Sequence, residues 1–149
     1  MRRLPALVFA LVLFATTVSA ATASAAEPGL EGHWWGEGLQ PGRGIVNQWL
    51  VHLKPDHTFE VEFRFYERCT LKRRSVQSGR WELEGDRYRT VTEVHDGRPL
   101  PTDKRPRNEY ILRKLDDQVM EYHHVELDHT YHALRVPAGY SFPRCLETS

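Results

Sequence analysis

The stretch from Met120 to Val136, MEYHHVELDHTYHALRV, gathers four of the chain's eight histidines, with acidic residues between them. Imidazole and carboxylate groups brought to one face form a ligand set for zinc or non-haem iron. Everything depends on which side chains share a face. If Gln118–Val125 and His129–Val136 form a hairpin with Leu127-Asp128 at its tip, His123 pairs with His132. Their Cβ atoms then stand roughly 5 Å apart. Glu121 lies on the same face two residues back. These three residues, His123, His132 and Glu121, are the candidate metal ligands. A three-residue turn would instead set His132 opposite Tyr122. The segment lacks H-E-x-x-H and reads as strand, and no partner that would orient the imidazoles can be identified. An ordinary polar hairpin is therefore favoured over a metal site, and no cofactor is expected. The opposite face, with Met120, Tyr122, Tyr131 and Ala133, is as buriable as the first, so the inward side stays open.

Other catalytic patterns are weaker. There is no G-x-S-x-G elbow. His95 and Asp96 are adjacent, but strand neighbours point to opposite faces. Gln40-Pro41-Gly42-Arg43-Gly44 is a flexible turn, and with no helix after it lacks the geometry of a phosphate loop. The chain is read as non-enzymatic.

The elements that would position these residues are strands. In TFEVEFRFY, Phe59, Val61, Phe63 and Phe65 alternate with Glu60, Glu62 and Arg64, which is the period of a strand with one buried face. Ile45–Leu53 is rich in β-branched and aromatic residues. Further strands are expected at 32–36, 77–83, 87–95, 108–114, 118–125 and 129–136. Turns are expected at Lys54–His57, Glu84–Asp86 and Asp116-Asp117. Glu67–Ser75 and Asp96–Arg107 read as loops. Eight short strands with short connections predict an all-β, antiparallel, up-and-down barrel. Such a barrel is either filled by side chains or holds one small ligand.

Residues 1–25 read as a secretory signal peptide. Arg2 and Arg3 precede an apolar run from Leu4 to about Ala15, and both Val18-Ser19-Ala20 and Ala23-Ser24-Ala25 then fit a small-residue cleavage site. That run is shorter than the ~20 residues a membrane span needs. Residues 26–149 are then one exported domain, periplasmic or secreted, with no membrane span after cleavage. Lys and Arg balance Asp and Glu at 20 each, and losing Arg2 and Arg3 tips the domain slightly acidic. Nucleic acid is not an expected partner. In an oxidising compartment, two cysteines suggest a Cys69–Cys145 disulfide. Closing so long a loop contributes about 4 kcal/mol in the chain-entropy model.

Short motifs carry a family resemblance. Gly32-His33-Trp34 resembles the G-x-W motif of lipocalins and related calycins. DHTFEVEF followed by SGRWELEGDRY is similar to small bacterial lipocalin-like domains. The T-D-Y loop motif of lipocalins is absent, with Leu115-Asp116-Asp117 in its approximate place. The resemblance implies that Arg135 packs over Trp34 at the closed barrel end, where cation–π attraction contributes about 1 kcal/mol. It also implies a ligand cavity. With the inward face of 59–65, the candidate lining is Trp49, Phe59, Val61, Phe63 and Phe65. The expected function is that of a binding protein for a small apolar or amphipathic molecule. The alternative is an inhibitor or protein-interaction module whose barrel is filled.

Overall fold

The computed structural model describes residues 29–40 and 44–144. The proposed leader, residues 1–25, and Cys145 lie outside them. Eight strands form the barrel: β1 (Gly32–Gln40), β2 (Ile45–Leu53), β3 (Thr58–Glu67), β4 (Thr70–Glu84), β5 (Arg87–His95), β7 (Arg107–Leu115), β8 (Val119–His124) and β9 (His129–Val136). A two-residue ribbon, β6 (Arg98–Pro99), pairs only with β5. Every pairing is antiparallel and joins barrel neighbours in chain order. The pairing of β1 with β9 then closes the barrel. Closure leaves no long edge with unpaired backbone groups.

Two strands run longer than their sequence suggests. β1 continues past Gly36 to Gln40, and β4 begins at Thr70. Lys72-Arg73-Arg74 is therefore strand rather than loop. Its long cationic side chains find partners on β3: Lys72 meets Glu67 at 3.5 Å, Arg74 meets Glu62 at 2.8 Å, and the Arg73 guanidinium lies 4.3 Å over the Phe65 ring. A strand's outer face accepts charge when the neighbouring strand answers it. The only turn in that region is Arg68-Cys69, both with positive φ (46° and 56°), as a two-residue type I′ hairpin requires. Asp96-Gly97 makes the same kind of turn inside the second expected loop (φ 48° and 77°).

The strands alternate between barrel ends. One end carries the chain entry at Gly29–Glu31 and the turns at 54–57, 85–86 and 116–118; the other carries the β1–β2, β3–β4, β5–β7 and β8–β9 connections. The first end is solid. Leu30, Trp34, Leu53, Met120 and Ala133 are all at most 2% exposed. Trp34 Nε1 donates to the Leu30 carbonyl at 2.9 Å. The Arg135 guanidinium sits 4.1 Å over the Trp34 ring and donates to the carbonyls of Glu31 (2.6 Å) and Gly29 (2.8 Å). The segment after β9 turns back along the outer wall. Tyr140 comes against Trp35, with ring centroids 6.4 Å apart, and Phe142 lies 4.1 Å under the Arg64 guanidinium.

Candidate binding cavity

The other half of the interior is not solid. A cavity of about 260 Å³ lies among residues of β2, β3, β4, β5, β7, β8 and β9. It reaches the surface at the β8–β9 connection, where Leu127 lines it and is also 61% exposed. β2 contributes Asn47, Trp49 and Val51, and β3 contributes Phe59, Val61 and Phe63. Each triplet follows the two-residue period that puts alternate side chains on one face. Trp49 fits because β1 has a glycine beside it. A Cβ on Gly36 would fall 2.2 Å from Trp49 Cζ2 and 2.7 Å from the His132 carbonyl oxygen.

The facing wall is aromatic and polar. On β5, Tyr88, Thr90 and Thr92 turn inward between Arg89, Val91 and Glu93. Tyr110 stacks on Tyr88 (5.2 Å), and Tyr122 meets Tyr110 edge-on (5.3 Å). Tyr131 closes the group by stacking on Tyr122 (5.5 Å) and meeting Trp49 edge-on (5.6 Å). Burial raises the pKa of all four phenols, which stay protonated at neutral pH.

His124 is the inward histidine of the cluster. It is 5% exposed, and its ring lies edge-on to Tyr110 at 4.9 Å. The Leu127 backbone N–H donates to His124 Nδ1 at 3.2 Å. The proton therefore sits on Nε2, which faces Asn108 Oδ1 at 3.2 Å. Asn108 Nδ2 in turn reaches Thr90 Oγ1 at 3.4 Å. Burial lowers the His124 pKa, as does His123, while Glu126 opposes them. The ring is neutral at pH 7.

This same bond sets the register of the hairpin. The connection has four residues, Val125–Asp128, with Asp128 left-handed (φ 49°), and His124 pairs with His129. Neither the two-residue nor the three-residue turn forms. His123 therefore faces Thr130, and His132 faces Glu121. Because the shift is even, His123, His132 and Glu121 still share a face, and it is the outer one. They split into separate pairs there: His123 Nε2 to Asp128 Oδ1 at 3.3 Å, and His132 Nδ1 to Glu121 Oε2 at 3.5 Å. Among the described residues, no group of three histidine, cysteine or acidic side chains could hold a metal ion.

Of the five expected lining residues, Trp49, Phe59, Val61 and Phe63 border the cavity. Phe65 does not. It lies one step nearer the rim, beside the bulge at Phe65/Tyr66, between Phe63 and the Arg73 guanidinium. The polar lining from Asn47, Gln77, Thr90, Thr92, Asn108 and His124 went unread. Its one visible signal is the alternation Tyr88-x-Thr90-x-Thr92. Ser75 Oγ and His95 Nε2 meet at 2.9 Å near the open end. Asp96 Oδ2 faces the same nitrogen at 3.5 Å, whereas a serine triad needs the acid on the other nitrogen.

No family model matches this chain, and no curated protein matches it. What stands is the architecture, a closed eight-stranded antiparallel barrel consistent with a lipocalin-like fold.

Proposed function

We propose that this is an exported, non-enzymatic, lipocalin-like protein that carries a small amphipathic molecule in its barrel. The observation that supports the reading is the cavity: partly open at one end, closed at the other, and lined by both aromatic and hydrogen-bonding groups. Its size falls below the roughly 300–1,000 Å³ of sites for drug-sized ligands, which favours a smaller molecule. The leader-like residues 1–25 support export. The course of the tail supports the Cys69–Cys145 bridge, since Phe142 lies against Arg64, on the strand that leads to the Cys69 turn. An intact mass short of two hydrogens before reduction would establish that bond, and an unchanged mass on reduction would rule it out.

Native mass spectrometry of protein recovered from its own host, alongside Phe63→Trp as a filled barrel, tests the main reading. The expected result is an adduct on the wild type that the variant lacks. A wild type that emerges free and takes up no aromatic probe would sink it. A second reading, docking of another protein at the mouth, draws on Leu39, Leu71, Val125 and Leu127, which are 47–66% exposed around the open end. On that reading Leu127→Asp loses the partner, while Phe63→Trp keeps it.

A further inference from the structure

The hydrogen bonds of the cavity's polar wall all run in one direction. The Leu127 backbone N–H donates to His124 Nδ1, so the ring gives its Nε2 hydrogen to Asn108 Oδ1. With that oxygen taken as the acceptor, Asn108 Nδ2 donates to Thr90 Oγ1 at 3.4 Å. Thr90 in turn gives its own hydrogen to the Tyr110 hydroxyl oxygen. Each group accepts one hydrogen and passes on another, and every bond in such a chain polarises the next. The last hydrogen belongs to the Tyr110 hydroxyl. The remaining neighbours of Tyr110, namely Tyr88, Tyr122 and His124, meet it ring to ring.

Tyr110 lines the cavity. Its hydroxyl is not one of the polar atoms sealed away inside the protein, as Trp49 Nε1 and Asn47 Oδ1 are. The free hydrogen is therefore offered to whatever fills the space. Across that space stands an apolar wall, Trp49 and Val51 of β2 with Phe59, Val61 and Phe63 of β3. No lysine or arginine lines the cavity, and His124 is neutral. An anionic head held there would give up its water with no cation to answer it.

We infer that Tyr110 determines specificity: its hydroxyl donates to one uncharged acceptor on the ligand, a ketone, ester or amide carbonyl, while the ligand's apolar body lies against β2 and β3. The inference rests on the binding reading above and narrows it to neutral carbonyl compounds.

Isothermal titration calorimetry with three matched probes tests it: 2-acetylnaphthalene (a neutral carbonyl), 2-ethylnaphthalene (the same shape without an acceptor) and 2-naphthoate (anionic). Tyr110→Phe is expected to weaken the ketone about tenfold, the worth of one hydrogen bond between neutral groups. The hydrocarbon should bind wild type and variant alike. Wild type should hold 2-naphthoate at least about tenfold more weakly than the ketone. Infrared difference spectra supply a readout on the wild type alone, should the variant not fold. The bound ketone's carbonyl stretch should lie at lower frequency than in hexane. The inference fails, while the binding reading stands, if Tyr110→Phe leaves the ketone's affinity intact or weakens ketone and hydrocarbon equally. It fails in the same way if 2-naphthoate binds as well as the ketone, or if the bound carbonyl absorbs as it does in hexane. If no probe binds, or if Phe63→Trp binds them unchanged, the binding reading itself fails and takes the inference with it.

Discussion

The two ends of the barrel solve opposite problems with the same strands. At the closed end, Trp34, Leu53 and Met120 are packed to 1% exposure or less, and the indole N–H groups of Trp34 and Trp81 are both paired, to the carbonyls of Leu30 and Lys54. In the open half, the same inward positions carry asparagine, glutamine, threonine and histidine around unfilled space. Close packing without voids is what stabilises a core. Unfilled, partly satisfied polar space does not. The comparison teaches that close packing and open, polar-lined space are separated along the barrel axis, so each can be perturbed without the other.

Substitutions at the two ends can break that comparison. Trp34→Ala should lose about 3–5 kcal/mol in urea unfolding, the usual cost of deleting a buried indole. Phe63→Trp, in the open half, should stay within about 1 kcal/mol of wild type while abolishing probe binding. Equal losses at both ends would show that the two halves are one unit. Arg135→Leu should cost about 2 kcal/mol, because two charged hydrogen bonds and the contact with Trp34 go together. Its probe affinity should match the wild type in the same titration.

The pH dependence of stability sharpens the contrast. Burial depresses the His124 pKa below its ordinary 6.5, so the unfolded chain takes up the proton more readily than the folded one. Stability is therefore fully present above pH 6.5 and is lost as pH falls below it. His33, depressed by burial and then by the stacked His52 ring, acts in the same window. His124→Gln should remove part of the slope of unfolding free energy between pH 6.5 and 5, and an unchanged slope would contradict the burial of His124 as a neutral ring. The smallest effect belongs to the outer wall. Arg74 first, and then Arg64, hold Glu62 at about 2 against the opposing effect of burial. That contribution is present above pH 4.5 and fades as pH falls toward 2. Glu62→Gln should cost about 1 kcal/mol or less at pH 7, given its solvent access, and nothing near pH 2.

The barrel was legible because its strongest segments alternate cleanly: Phe59-x-Val61-x-Phe63 reads as one face under any register. The Lys72-Arg73-Arg74 run misled because local charge looks like a loop. What makes it strand is Glu62 and Glu67 across the sheet, and sequence order does not display that pairing. The Asp96-Gly97 turn is of a kind that its dipeptide alone signals. The histidine cluster could not be resolved, because its register hangs on a side chain bonding to the turn's own backbone. His124 turns inward beside Asn108 because it follows Met120 and Tyr122 on the buried face of β8, and that alternation leaves His123 and His132 outside. The polar half of the cavity was hidden for a related reason, since threonine and asparagine on a strand read as a solvated face until the barrel closes around them.

Arg135 holds the carbonyls of Gly29 and Glu31 to the last strand, beneath Trp34. The segment that leads into the barrel is thus moored at the end opposite the mouth. A tether made through residues ahead of Gly29, whether an affinity tag, a bead or a membrane, would hold the molecule upright like a cup on its base. On the proposed binding reading, a preparation immobilised this way should take up a ligand as freely as the protein in solution, whereas attachment through Leu127 would obstruct the opening.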